Sequence, residues 1–133
     1  MGILSPEMDS KQLNQLSSLA LAHVGDAVYE LMTRTMLCRQ GHNAVTHLHQ
    51  LTVSRVNAPA QARAAERILP LLDADELAVY KRGRNAHVNS IPHRATVGQY
   101  HAATGLEALF GWLYLQGKEE RLKELFTAAM EEK

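Results

Sequence analysis

Residues 102–116 read AATGLEALFGWLYLQ, and Glu107 is the one charge in the run. At about 100° per helical residue, Leu106, Leu109, Phe110, Trp112, Leu113 and Leu115 leave hardly any face of a helix polar. Such a helix is buried on most sides, so the segment is expected to be a largely covered helix of an all-α fold. Either the rest of the chain covers it or a two-fold partner provides some of the cover. A carboxylate buried there without a partner costs several kcal/mol, or its pKa moves until it is neutral. Glu107 is therefore at the surface, protonated, or paired with a cation, and that cation could be an Arg, a Lys or a metal ion.

Working outward, helix formers dominate and the alternating pattern of strands is missing. A short helix is expected after Asp9 or Ser10. A long one follows Ser17–Ser18 and stops at Gly41, with an apolar stripe of Leu21, Val24, Val28, Leu31 and Thr35. Asn43 reads as the cap of a helix to about Asn57. Pro59 suits the first turn of the next, which ends near Pro70. Asp73 caps another through roughly Arg82, and residues 83–97 read as a basic loop. Thr96 caps the apolar helix, and a charged amphipathic helix spans 118–132. The expected fold is a single all-α domain of six or seven helices over residues 1–133.

The chain has 133 residues with 46% hydrophobic, enough for one domain with a packed core. Its single cysteine, Cys38, allows no internal disulfide, points to a reducing cytoplasm, and reads as a small core residue. No basic-then-apolar leader is seen at the start, and the 102–115 run is too short and glycine-marked to cross a bilayer, so no membrane association is expected. The 14 basic and 14 acidic residues cancel, but they are segregated. Between Leu31 and Ala65, and between Leu77 and Leu106, there are Arg and Lys but no acids. That segregation produces either a basic surface that attracts a polyanion or ordinary solvated helix faces.

A second acid has a similar setting. In LALAHVGDAVYE, residues 19–30, Asp26 lies nearly opposite the apolar stripe, beside Ala22 and Gly25. A glycine inside a helix costs about 1 kcal/mol relative to Ala and often lets something approach the backbone. Thr104 and Gly111 flank Glu107 at the same helical spacing. Two such acids could meet around a hard cation, since magnesium takes oxygen ligands, keeps several waters and needs only one or two carboxylates. Separately, each acid reads as a solvated or ion-paired residue, and Glu30 reads as a partner of Arg34 one turn on. The seven histidines show no zinc-site spacing.

Three pieces in order carry a resemblance: Gly-Asp-Ala-Val-Tyr-Glu at 25–30, Tyr-Lys-Arg-Gly-Arg-Asn-Ala at 80–86 and Thr-Gly-Leu-Glu-Ala-Leu at 104–109. Together they resemble Mini-III, the compact bacterial branch of the ribonuclease III family, from about Leu16 to Leu125. The resemblance implies an all-α endonuclease domain acting as a homodimer on double-stranded RNA. It implies magnesium as cofactor, with manganese able to substitute, and products with 5′ phosphates. Asp26 and Glu107 match the catalytic metal ligands. Lys81, Arg82, Arg84, Asn85 and Arg94 are candidates for an RNA clamp. The implied role is maturation of the large-subunit (23S) ribosomal RNA precursor, with ribosomal protein L3 as a helper. Mini-III proteins lack the separate double-stranded RNA-binding domain of larger relatives, and this chain is expected to lack it too. Larger relatives also carry acids at the positions of Ala22 and Thr104, so four acids have become two. That loss leaves a non-catalytic RNA-binding or ribosome-assembly factor on the same fold as the alternative.

Overall fold

Short polar side chains set most of the helix starts. The computed structural model describes residues 4, 6–86 and 95–131. Among these there are seven α-helices and no strand. Asp9 and Gln12 form a capping box on α1 (Ser10–Asn14), and the Ser17 hydroxyl accepts the Ala20 N–H at the start of α2 (Ser18–Arg39). The left-handed φ of +95° at Gly41 follows the end of α2. Asn57 caps α4 (Ala58–Ile68), which continues into a 3₁₀ turn at Leu69–Leu71. Asp73 with Glu76, and Thr96 with Gln99, cap α5 (Ala74–Arg84) and α6 (Val97–Leu115) in the same reciprocal way. α7 spans Glu119–Met130. Two α-helices start without a side-chain cap: α7, whose cap position is Lys118, and α3 (Val45–Val56), whose cap position is Ala44. Asn43 stands one residue too early to cap it.

α6 is the axle of the fold, touched by α2, α4, α5 and α7. Leu106, Leu109, Phe110 and Leu113 are fully buried within the one chain. The cover that a second copy could have provided is thus already provided by the monomer's own helices.

The face that α2 buries differs from its expected stripe. Leu21, Ala22, Gly25, Tyr29, Thr33 and Leu37 point inward. Val24, Val28, Leu31, Met32 and Thr35 instead line an open groove of 1270 Å³, whose far wall includes Leu122, Phe126 and Met130 of α7. At its closest approach to α6 the buried face of α2 is small, at Ala22 and Gly25, while Leu21, Tyr29 and Leu37 fill the core on either side. Leu31 is 61% exposed there. Cys38 is exposed rather than in the core.

One buried ion pair ties three elements together. Glu76, only 4% exposed, accepts from Arg121 Nε and Nη2 at 2.8 Å each, and from the Asp73 N–H at 3.0 Å. Arg121 Nη2 also donates to the Leu71 carbonyl at 2.7 Å. The Arg121 guanidinium, helped by the Asp73 N–H, holds the Glu76 carboxyl below the usual carboxylate range against the opposing effect of burial. A carboxyl with a depressed folded pKa stabilises the fold above its unfolded pKa, and that contribution is lost as pH falls through the folded value. Glu76→Gln is therefore expected to cost about 2 kcal/mol at neutral pH. The gap to wild type should close in acid, below the ordinary value of 4.5. Urea unfolding at neutral and acid pH measures both.

Candidate active site

α2 and α6 cross at a pair of glycines. A Cβ built on Gly25 would stand 1.6 Å from the Glu107 carbonyl oxygen and 2.8 Å from the Gly111 nitrogen. One built on Gly111 would stand 2.0 Å from the Leu21 carbonyl oxygen. The helices touch backbone to backbone, and the approach anticipated at Gly25 is that of Glu107's own main chain. Asp26 follows Gly25 directly, and Glu107 precedes Gly111 by one turn, so the crossing sets the two acids side by side.

Their carboxyls come within hydrogen-bonding reach of each other. Asp26 is exposed and Glu107 is partly buried. Burial, then the nearby Asp26 charge, then the hydrogen bond with Asp26 push the Glu107 carboxyl up to about 8. Gln61 on α4 opposes that rise, its Nε2 donating to Glu107 Oε2 at 3.5 Å. Among the described residues no Arg or Lys forms an ion pair with Glu107. What faces this carboxyl is another acid and an amide.

Ala22 and Thr104 leave the acid pair without further help. Ala22 has no polar side-chain atom, and the Thr104 hydroxyl donates to the Tyr100 carbonyl at 2.9 Å. Among the described residues, no group of three or more His, Cys, Asp or Glu is placed to hold a metal ion. The protein's contribution is two carboxylates backed by an amide. That donor set suits a hard divalent cation that keeps water in most of its shell. Two acids sharing one space, with no cationic side chain among the described residues paired to them, are electrostatically incomplete, and a divalent ion would fit them.

Of the basic candidates, Arg84 falls on a helix instead of in the expected loop. Lys81, Arg82 and Arg84 lie in the last turn of α5, and Asn85 is its C-cap. Positive side chains there also suit the carbonyl end of the helix, which keeps the turn helical past the expected end at Arg82. Lys81 and Arg82 are exposed. Arg84 is partly committed: its guanidinium carbon lies 5.9 Å from the Tyr80 ring centroid, and its Nε donates to Asn85 Oδ1 at 3.3 Å. Gly83 packs onto Gly105 and Ala108, so this basic turn rests on the stretch of α6 that carries Glu107. Arg94 lies outside the described residues. Glu30 pairs with Arg34 at 2.9 Å, as the spacing suggested.

The sequence reading missed Gln61. It is 2% exposed on a helix face otherwise made of Ala60, Ala64, Ala65 and Ile68. An amide in the middle of an alanine face was the available signal.

Comparison with known proteins places this geometry in a family. The Ribonuclease III domain family matches residues 19–118. A Mini-ribonuclease 3 of Thermoanaerobacter sp. (strain X514) is 45% identical over 116 residues, covering 87% of this chain and 82% of that protein. One from Symbiobacterium thermophilum is 43% identical over 114 residues, covering 86% and 88%. A crystal structure of a Fusobacterium nucleatum protein superposes with a TM-score of 0.80 at 36% identity, covering 89% of this chain and 94% of that one.

Proposed function

The chain belongs to the ribonuclease III family, in its Mini-ribonuclease III branch, and is an endoribonuclease; from that premise we propose that it cuts double-stranded RNA with a magnesium ion held by Asp26 and Glu107. The observation that carries the reading is the meeting of these two carboxyls beside the Gly25–Gly111 crossing, with no cationic side chain among the described residues in an ion pair with them. When bound, the ion, or manganese in its place, supplies acidification of a water and neutralisation of charge developing on the phosphate.

The chain's own residues do the rest. Glu107 is the inner anchor, fixed on a buried helix. Asp26 is the outer ligand, open to solvent and to the RNA backbone. Lys81 and Arg82 project from the end of α5 to meet phosphates, with Arg84 and Asn85 at the rim; Arg94 is assigned to the clamp from the sequence alone. Duplex RNA is recognised largely by shape, phosphates and 2′-hydroxyls, so contacts of this kind suffice without a sequence code. The cut leaves a 5′ phosphate and a 3′ hydroxyl.

The apolar groove between α2 and α7 is the surface on which a second copy would dock to form the homodimer. Residues 1–133 then act as one catalytic domain in the cytoplasm. From the likeness to the branch alone come the 23S ribosomal RNA precursor as substrate and ribosomal protein L3 as helper. Trimming of that precursor to discrete ends by the purified protein, faster with L3 present, is the expected outcome.

Purified protein should cut a generic RNA duplex in magnesium, leave it intact in chelator, and spare the separated strands. Binding in chelator should weaken with salt. Replacing Lys81 and Arg82 together by Ala should flatten the log–log salt slope by about two, roughly one per phosphate contact. An unchanged slope would remove these residues from the clamp. Magnesium-independent cutting would remove the ion.

A further inference from the structure

We propose that Gln61 is a positioning residue for the acid pair, holding the Glu107 carboxylate turned toward Asp26 so that both present oxygens to one divalent cation. The inference rests on the reading of Asp26 and Glu107 as the metal ligands.

Gln61 comes from a third helix. α4 packs on α6, and its buried face is alanine and isoleucine except for this one amide. Buried polar side chains are found with hydrogen-bond partners. Gln61 Nε2 stands 3.5 Å from Glu107 Oε2, longer than the usual N–H···O hydrogen bond of about 2.7–3.2 Å and so a weak contact. At that length the contact steers the carboxylate without pinning it. The neighbouring positions do not share this task. Ala22 has nothing to donate, and Thr104 is committed to the Tyr100 carbonyl.

A second carboxylate at such a position would repel Glu107 whenever no cation was bound. An amide brings a donor and no charge. It restricts the rotamers of Glu107 in the metal-free protein and leaves the outward side of the carboxylate open. Groups that orient metal ligands from behind are worth about 10–100-fold in metal affinity.

The test uses the full chain and manganese(II) chloride as the probe, followed by titration calorimetry. Wild type should bind, and Glu107→Gln should not. Gln61→Met, which keeps the length and apolar packing of the side chain but no donor, should bind about 10–100-fold more weakly with an unchanged helical circular dichroism spectrum. Gln61→Leu serves as the second variant should Met pack poorly. In duplex cleavage, the magnesium concentration giving half-maximal rate should rise by a similar factor, and excess magnesium should restore the maximal rate. A purely structural role would lower the melting temperature without moving the half-saturating metal concentration. Gln61→Met and Gln61→Leu binding manganese as tightly as wild type would overturn the positioning role and leave the metal site standing. Wild type without manganese affinity, or Glu107→Gln with all of it, would overturn both.

Discussion

Gly25→Ala is expected to lower the melting temperature by roughly 10 °C or more and to take nuclease activity with it. The new methyl would need space held by the Glu107 carbonyl oxygen, 1.6 Å away, and by the Gly111 nitrogen. Both are main-chain atoms in the middle of α6, and neither can swing aside as a side chain does. The helices must separate, which loosens the core along the whole contact. Overpacking a core typically costs about 1–3 kcal/mol. A clash with backbone belongs at or above the top of that range, a large part of an ordinary domain's net stability. Gly111→Ala should behave alike, since its Cβ would meet the Leu21 carbonyl oxygen at 2.0 Å. Gly98→Ala, near the start of the same helix, is the control. Its Cβ would find only Thr96 Oγ1, at 4.0 Å, so the change should be neutral or stabilising by up to about 1 kcal/mol. Thermal melts of the three variants would decide the matter. A Gly25→Ala protein melting with wild type would mean that the crossing is not as close as described.

Asp26→Asn and Glu107→Gln should each reduce duplex cleavage at least about 1,000-fold at saturating magnesium, while duplex binding stays within a few-fold of wild type. Each removes one of the site's two carboxylates, and a Lewis-acid ion contributes several kcal/mol to the transition state, about tenfold in rate for each 1.4 kcal/mol. The two variants differ in a second respect. Glu107 carries the larger burden of burial and lies against the Asp26 charge. In chelator at neutral pH, Glu107→Gln should therefore melt above wild type, because a neutral amide of the same shape relieves that cost. Added magnesium should raise the melting temperature of wild type and leave Glu107→Gln unmoved. Single-turnover cleavage and melts with and without the ion measure both effects. Full activity in either variant would sink the assignment.

Much of the fold was legible because its punctuation is local. Asp9, Ser17, Asp73 and Thr96 each cap a helix through a side chain reaching three residues ahead, a pattern visible in the string itself. The all-apolar run around Glu107 announced a covered helix for an equally direct reason. What covers that helix was not legible, because cover is a property of packing between distant segments. The face of α2 shows the difference. Its large apolar residues advertise the stripe at Val24, Val28 and Leu31, yet the core lies on the side of Ala22 and Gly25, where small size rather than hydrophobicity is the requirement. Hydrophobic periodicity detects the first and is nearly blind to the second. α3 begins without a side-chain cap, so Asn43 offered a plausible start and misled by a residue.

The acid pair was legible through two short motifs and the small residues beside them. Its supporting amide was not. Gln61 lies in a different helix from both acids, and a glutamine is more often found at a surface than buried. The end of α5 was misread for a related reason: Gly83 looks like a helix breaker in the string, but its missing side chain is what lets α5 sit on Gly105 and Ala108. In each case the deciding contact is between segments far apart in the chain.

Because no side chain separates α2 from α6 at Gly25 and Gly111, the spacing of the two carboxyls is hard to adjust by substitution there. At that point there is no side chain to trim and no room to add one. Selection or engineering that alters this enzyme's choice of RNA or its heat tolerance has to work on surfaces that can vary, such as the tip of α5 or the walls of the α2–α7 groove. A heated sample has no route to an inactive but otherwise intact fold through this crossing, so cutting and helical signal should disappear at the same temperature.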